Sequence, residues 1–289
     1  MSFYISLSGL KASQVDLSTI SNNVANVNST AFKKSKAEFG DIFAAAPMQT
    51  TNQVAGQGVR VQGVAQQFTQ GTLETTDKAL DLAIAGEGYF TVKRDDGNIS
   101  YTRNGAFSVD DGRYAVDTTG ARLQVFQNAA AGAPATPAAQ MDLKIPLTLS
   151  EALAFNPGTN PAPAPAPTDP DPQLTSVSVD KEGMVSAVYA NGQTVELGKV
   201  VLASFNSQEG LRQEGDAHWS ATVASGEAIY GTANDGMYGS LNSGMLERSN
   251  VDITDELVAL IAAQRNFQAN SKAIEAANTL TTTIVNLRT

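Results

Sequence analysis

The chain has 289 residues, 42% of them hydrophobic, enough for one to three folded domains. Its 29 acidic residues outnumber 19 basic ones, and a formal charge of −10 argues against nucleic acid or an anionic membrane as the principal partner. The lack of cysteine and a single histidine, His218, leave no disulfide framework or thiolate metal site, and no cofactor is expected.

The first residues, MSFYISLSGLKASQ, lack a basic region followed by an unbroken apolar core, and no stretch approaches about 18 apolar residues. On these bounds alone the protein belongs in the cytoplasm, without membrane insertion. A first helix is predicted from about Ser2 to Asn26. On it Phe3, Leu7, Leu10, Gln14, Leu17, Ser21 and Val24 keep the roughly 3.5-residue spacing of a coiled-coil seam. It should end near Asn28, because Asn22, Asn23, Asn26 and Asn28 favour caps and turns over helix interiors. Residues 32–71 read as a polar, extended connector with short strands near Val59 to Val64, and Lys33, Lys34 and Lys36 form its basic cluster.

From Leu80 to Gln127 the chain is strand and turn, with Gly86, Gly88, Gly97, Gly105, Gly112 and Gly120 at turn or bulge positions. Residues 128–173 shift to Ala and Pro and should form an exposed, polyproline-like insertion, interrupted by the apolar piece LKIPLTLSEALAF. Strands resume at Leu174, and Asn191 with Gly192 signals a two-residue hairpin. A Gly and Ser tract then leads to a last helix from Asp252 to Leu287. Asp252 is placed as its N-cap, with Asp255 three positions on.

On this last helix Ile253, Leu257, Leu260, Gln264, Phe267, Ser271 and Ile274 repeat the seam of the first, before it slips to Ala277, Leu280, Ile284 and Leu287. The two termini should therefore pair. A two-helix pair buries little surface, which argues for packing against further copies. The expected fold is mixed α and β. Residues 1–31 and 246–289 form a coiled-coil-like domain of paired terminal helices, and 72–127 with 174–245 form an all-β domain from two discontinuous segments.

Carboxylates Glu87, Asp95, Asp96, Asp110 and Asp111 are the candidates for a glycosidase-like pair. Most sit beside Gly in predicted turns, where Asp serves the backbone, so no enzyme is expected. His218 beside Trp219 reads as a packing pair at a strand end, and Trp219 and Phe90 as core. Arg103 calls for a salt bridge or a contact with another copy.

The stretch SNNVANVNSTAFKKSKAEFGDIF resembles the N-terminal motif of the flagellar rod and hook protein family, and DLAIAGEGYFTV with YTRNGAFSVD resembles that family's first β segment. The tail from Gly244 to Arg288 resembles its shared C-terminal helix, so the likeness covers about four fifths of the chain. Several features are similar to the hook members. These are Phe39 to Phe43, Leu202 to Phe205, Ala263 to Phe267, and Val285 to Arg288. Two features depart from them: an Ala/Pro stretch replaces the usual large outer domain, and Ala31 stands where Gly commonly precedes the Phe-Lys pair.

The resemblance implies a homo-oligomeric, helically symmetric hollow tube that transmits torque, with the terminal helices lining its inner layer; a stiff rod protein is the alternative. Implied partners are the distal rod protein, the hook cap, the hook-filament junction proteins and the flagellar type III export apparatus. Export without a cleaved signal would take the chain to the cell exterior, against the cytoplasmic reading from composition. The assembly contacts expected are Leu7, Leu10, Leu17, Val24, Leu257, Leu260, Phe267 and Ile274, with polar Gln14, Ser21, Gln264 and Ser271 setting register.

Overall fold

The computed structural model describes residues 2–42, 56–126, 140–155 and 171–286. In chain order the elements begin with α1 (Ser2–Ala25), β1 (Ser35–Asp41), β2 (Val59–Gln66), β3 (Leu73–Thr75), β4 (Leu82–Ala85), β5 (Tyr89–Lys93) and β6 (Ile99–Thr102). There follow β7 (Ser108–Val109), β8 (Ala115–Val116), β9 (Arg122–Phe126), β10 (Gln140–Asp142), α2 (Leu149–Phe155), β11 (Leu174–Val179), β12 (Met184–Tyr189) and β13 (Thr194–Val200). The last are β14 (Leu202–Ser204), β15 (Arg212–Gly215), β16 (His218–Ser220), β17 (Ile229–Gly231), β18 (Ser240–Ser243), β19 (Met245–Glu247) and α3 (Ile253–Asn286).

The chain divides into two units, Met1–Thr69 with Ser249–Thr289, and Gln70–Arg248. In the first, α1 and α3 pack side by side and the antiparallel ribbon β1–β2 lies along α1. The connector expected at 32–71 thus contains a strand missed in the sequence, β1. Its polar run SKAEFGD alternates too weakly to read as one, and it forms by pairing with β2, with a bulge between Glu38 and Phe39. Helix α3 is capped as expected: Asp252 Oδ1 accepts from the backbone N–H of Thr254 (2.8 Å) and Asp255 (3.3 Å).

The second unit is built on an antiparallel sheet in the order β11-β12-β13-β9-β5-β6-β16-β15. Strand β5 is its hinge: Val92 and Lys93 pair with β9, while Tyr89 and Phe90 pair on the same edge with β14. The core gathers Phe90, Val92, Leu123, Val125, Leu197 and Leu202, all buried. Residues 140–155 correct the expectation of an exposed insertion. Strand β10 pairs with β9, and Leu143, Ile145, Leu149 and Ala152 are buried in the same core, because their apolar side chains find the face that β9 and β13 leave open. Residues 128–139 and 156–170 of the Ala/Pro stretch lie outside the described residues, as do Gln127, Phe43 and the end of the second seam at Leu287.

Among the described residues of this unit one turn recurs five times. In Arg94–Asn98, Asp110–Tyr114, Asp117–Ala121, Asp180–Met184 and Tyr189–Gln193, the fourth residue donates its N–H to the first residue's carbonyl, and the first donates to the fifth. This is a three-residue hairpin loop whose fourth position is left-handed. The Asn191-Gly192 hairpin is therefore a three-residue loop and not a two-residue one, since only Gly192 (φ 81°) takes positive φ. Four of the five left-handed positions are Gly; the fifth is Arg113 (φ 67°), where the sequence pointed to Gly112.

Candidate assembly interface

The two terminal helices meet through small and polar residues. On α1 the buried positions are Ala12, Thr19, Ile20 and Asn23; on α3 they are Glu256 and Ala263. Gly9 lies so close to Asn270 that a β-carbon there would come within 2.8 Å of its side chain, and Asn270 Nδ2 donates to Ser13 Oγ (3.4 Å). At the other end Asn23 Nδ2 donates to Glu256 Oε2 (3.1 Å), so the helices run antiparallel.

This differs from the matched seams in the sequence. Leu260, Phe267 and Ile274 are half-buried, as are Leu7, Leu10, Leu17 and Val24. Phe3, Gln14, Ser21, Ile253, Leu257, Gln264 and Ser271 are exposed. The face α3 turns to α1 is rotated by roughly 60° from the expected seam. The physical reason is that α3 is apolar over a sector wider than one helix contact, so its period marks two surfaces at once. Ser21 needs no partner helix, since its hydroxyl donates to the Leu17 carbonyl (2.7 Å).

What remains outside is a stripe of large apolar side chains on consecutive turns of α3. Ile253, Leu257, Val258 and Ile261 are 48%, 45%, 64% and 50% exposed. Two asparagines fix the elements that carry it. Asn23 is buried, and its amide exchanges hydrogen bonds with the backbone of Ser35 (2.8 and 2.9 Å) while holding Glu256. Asn250, just before α3, accepts from Lys34 N–H (2.7 Å) and donates to the Gln67 and Thr69 carbonyls (2.8 and 3.1 Å). Asn23 appeared in the sequence as one of several turn-favouring asparagines, and nothing there separated it from Asn22. Asn250 carried no signal.

Four of the five candidate carboxylates have structural work, and Asp111 is exposed. Asp96 accepts from the N–H and side-chain amide of Asn98, and those bonds hold its carboxyl below the usual carboxylate range. A general acid needs the opposite shift. Asp110 accepts from Tyr114 N–H (2.7 Å), Glu87 from Gln208 (2.6 Å), and Asp95 faces Arg122 at 3.7 Å.

Arg103 forms a buried salt bridge with Glu247 (3.5 Å) and lies over the Tyr89 ring. Trp219 and Phe90 are core, as expected. His218 is more than a packing residue. Its Nδ1–H donates to the Asp216 carbonyl (2.9 Å) and its Nε2 shares a hydrogen bond with Asp117 Oδ2 (2.6 Å), with both side chains fully buried. Burial alone would raise the Asp117 carboxyl, but bonds from His218 and from Thr119 more than offset it and bring it below its usual range. Among the described residues no cluster of His, Asp and Glu is placed to hold a metal, and no helix is long and apolar enough to cross a membrane.

Three stretches of the chain match known protein families. Residues 3–33 match the family model "flagella basal body rod protein", 83–187 the "flagellar hook protein FlgE/F/G D1 domain", and 242–287 the "flagellar basal body rod FlgEFG protein C-terminal". The chain is 29% identical to the flagellar hook protein FlgE of Escherichia coli, with 100% of both chains covered. That alignment runs over 409 positions against 289 residues here, so the relative carries sequence this chain lacks. It is 32% identical to the flagellar basal-body rod protein FlgG of Buchnera aphidicola subsp. Acyrthosiphon pisum over 286 positions, covering 94% of each chain. The solved Helicobacter pylori hook protein FlgE2 is 14% identical, with a TM-score of 0.24 over 66% of this chain and 44% of that one, too loose a likeness to carry argument.

Proposed function

The chain belongs to the flagellar hook and basal-body rod protein family, and we propose that within it this protein is the hook subunit, a structural protein of the bacterial flagellum that polymerises into a hollow, flexible tube transmitting torque. The observation that carries this reading is the uncovered apolar stripe of α3. Four large apolar side chains on one helix face are costly to leave in water, and a patch that meets a different surface on the next copy propagates into a filament. Leu7, Leu10, Leu17 and Val24 on α1, with Leu257 on α3, are the assembly contacts, Gln14 and Gln264 lie at their exposed margins, and Leu260, Phe267 and Ile274 serve the pairing within one chain.

The hook reading is supported by the alignment with the E. coli hook protein over the whole of both chains. A rod reading has its own support: the Buchnera rod protein aligns at slightly higher identity with almost no excess length, which suits a stiff shaft without a large outer domain. In either case the relatives are structural proteins, and no catalytic role is proposed. The partners are copies of the chain itself, the distal rod protein, the hook cap and junction proteins, and the type III export apparatus, through which it leaves the cell without a cleaved signal.

The test is sedimentation of the protein under polymerising conditions against a Leu257→Asp/Ile261→Asp variant. Both positions are exposed, so the monomer should keep its circular dichroism and melt within about 0.5 kcal/mol of the parent at each site. The variant should stay in the supernatant while the parent pellets. Equal pelleting would remove the stripe from the assembly.

A further inference from the structure

Beside the stripe, on a separate sector of α3, the helical unit carries an open groove of about 400 Å³ between α1, β1 and α3. Its lining is mixed: Ile20, Ala259, Ala262 and Ala263 give a shallow apolar strip beside the buried polar Asn23 and Glu256, and Asp16 and Asp255 stand among the less buried residues. We propose that this groove receives the N-terminal end of α1 from a second copy of the chain, with Tyr4 as the inserted side chain. The proposal rests on the assembly reading above and deepens it by naming one contact.

Three observations meet here. Tyr4 is 74% exposed and stands edge-on to Phe3 (ring centroids 5.9 Å), itself 39% exposed, with Ile5 beside them at 41%. Such an aromatic end buries about 150–250 Å² per ring when it finds a pocket, and a tyrosine brings a hydroxyl for a polar rim. The groove complements it in shape and chemistry: alanines leave room for a ring, and the carboxylates stand where the hydroxyl would donate.

The charges agree. The first turn of α1 has no acidic residue, so the positive end of its helix dipole is unmatched. The groove is lined by three carboxylates, of Asp16, Asp255 and Glu256, against the two ammonium groups of Lys34 and Lys36. Finally, about fifteen residues of helix, or roughly 20 Å, separate Tyr4 from the groove on its own α1, so one copy does not fill its own site. The contact joins unlike ends of two copies, which is the geometry that repeats without closing.

The chain has no cysteine, so engineered thiols report without background. A Tyr4→Cys/Ala262→Cys protein treated with a short bis-maleimide after assembly should give a ladder of linked multimers. Each single variant should give none beyond dimers, and the dispersed double variant should stay monomeric. Tyr4→Ala and Ala262→Leu, the second filling the groove from an exposed helix position, should each raise the concentration needed for assembly by about tenfold or more, and together by no more than either alone. Tubes that form without the ladder, or fully additive effects, would overturn the contact and leave the assembly reading intact. A parent chain that never assembles would overturn both.

Discussion

The buried Asp117–His218 pair shows how much one long-range contact organises. Asp117 heads a turn, where Oδ1 accepts from Thr119 N–H (2.7 Å), Thr119 Oγ1 (2.7 Å) and Ala121 N–H (3.0 Å), leaving Oδ2 for the imidazole. On the other side, His218 and Thr102 bond the carbonyls of Asp216 and Ala217, both held at positive φ (50° and 57°) without being glycine. The Asp216 carbonyl can only accept, so Nδ1 carries a hydrogen, and Nε2 and Asp117 Oδ2 share a second one between them. Asp117→Asn leaves a buried ring facing a neutral amide, and should lower the unfolding free energy by about 3 kcal/mol in denaturant titration. Because the folded Asp117 carboxyl lies below its usual value of 3.8, its contribution is complete above that value and is lost as the pH falls through the lowered one. Melting temperature should drop more steeply with acid below pH 3.8 in the parent than in Asp117→Asn. None of this was legible in the sequence, where a lone His beside a Trp and an Asp in a TTG turn stand 101 positions apart.

At the scale of elements, the strand segments and both terminal helices were legible because period, caps and turn residues are local signals. What failed was non-local. β1 reads as connector because its pairing partner, not its own pattern, makes it a strand, and residues 140–155 read as part of a loop because proline-rich flanks mask an apolar run that fills the core. The helix seams were half legible: the period gave the pairing of termini, but it does not say which part of a wide apolar sector faces inside the chain. Close approach was hidden too. At Gly105, in the loop after β6, a β-carbon would overlap the backbone carbonyl of Leu82, whose own N–H donates to the Gly105 carbonyl (2.9 Å). Gly105→Ala should therefore cost upwards of about 2 kcal/mol by thermal or denaturant unfolding, since a backbone atom cannot swing aside. An unchanged melt would place the two segments further apart than described.

Across the whole molecule the charge is divided unevenly. Residues 70–248 carry 22 acidic and 11 basic residues, whereas the helical unit carries 7 and 8. The β unit thus carries a formal charge of −11 and the unit with the exposed apolar stripe +1, close to neutral. Association through neutral helices brings the acidic units of neighbouring copies together against their repulsion. Raising salt from 0.01 M to 0.15 M, which shortens the screening length from about 30 Å to about 8 Å, should lower the protein concentration at which polymer appears in light scattering. Polymer that dissolves as salt rises would mean that ion pairs, and not apolar helix faces, hold the copies together.

Electron microscopy of the intact chain after polymerisation is induced, beside a version lacking residues 252–289, tests assembly through the terminal helices directly. Hollow tubes that curve or supercoil, formed by the intact chain alone, are the predicted result for a hook subunit joined through its terminal helices. Straight, stiff tubes would contradict the hook assignment in favour of the rod, and a chain that stays monomeric under every condition would contradict assembly itself.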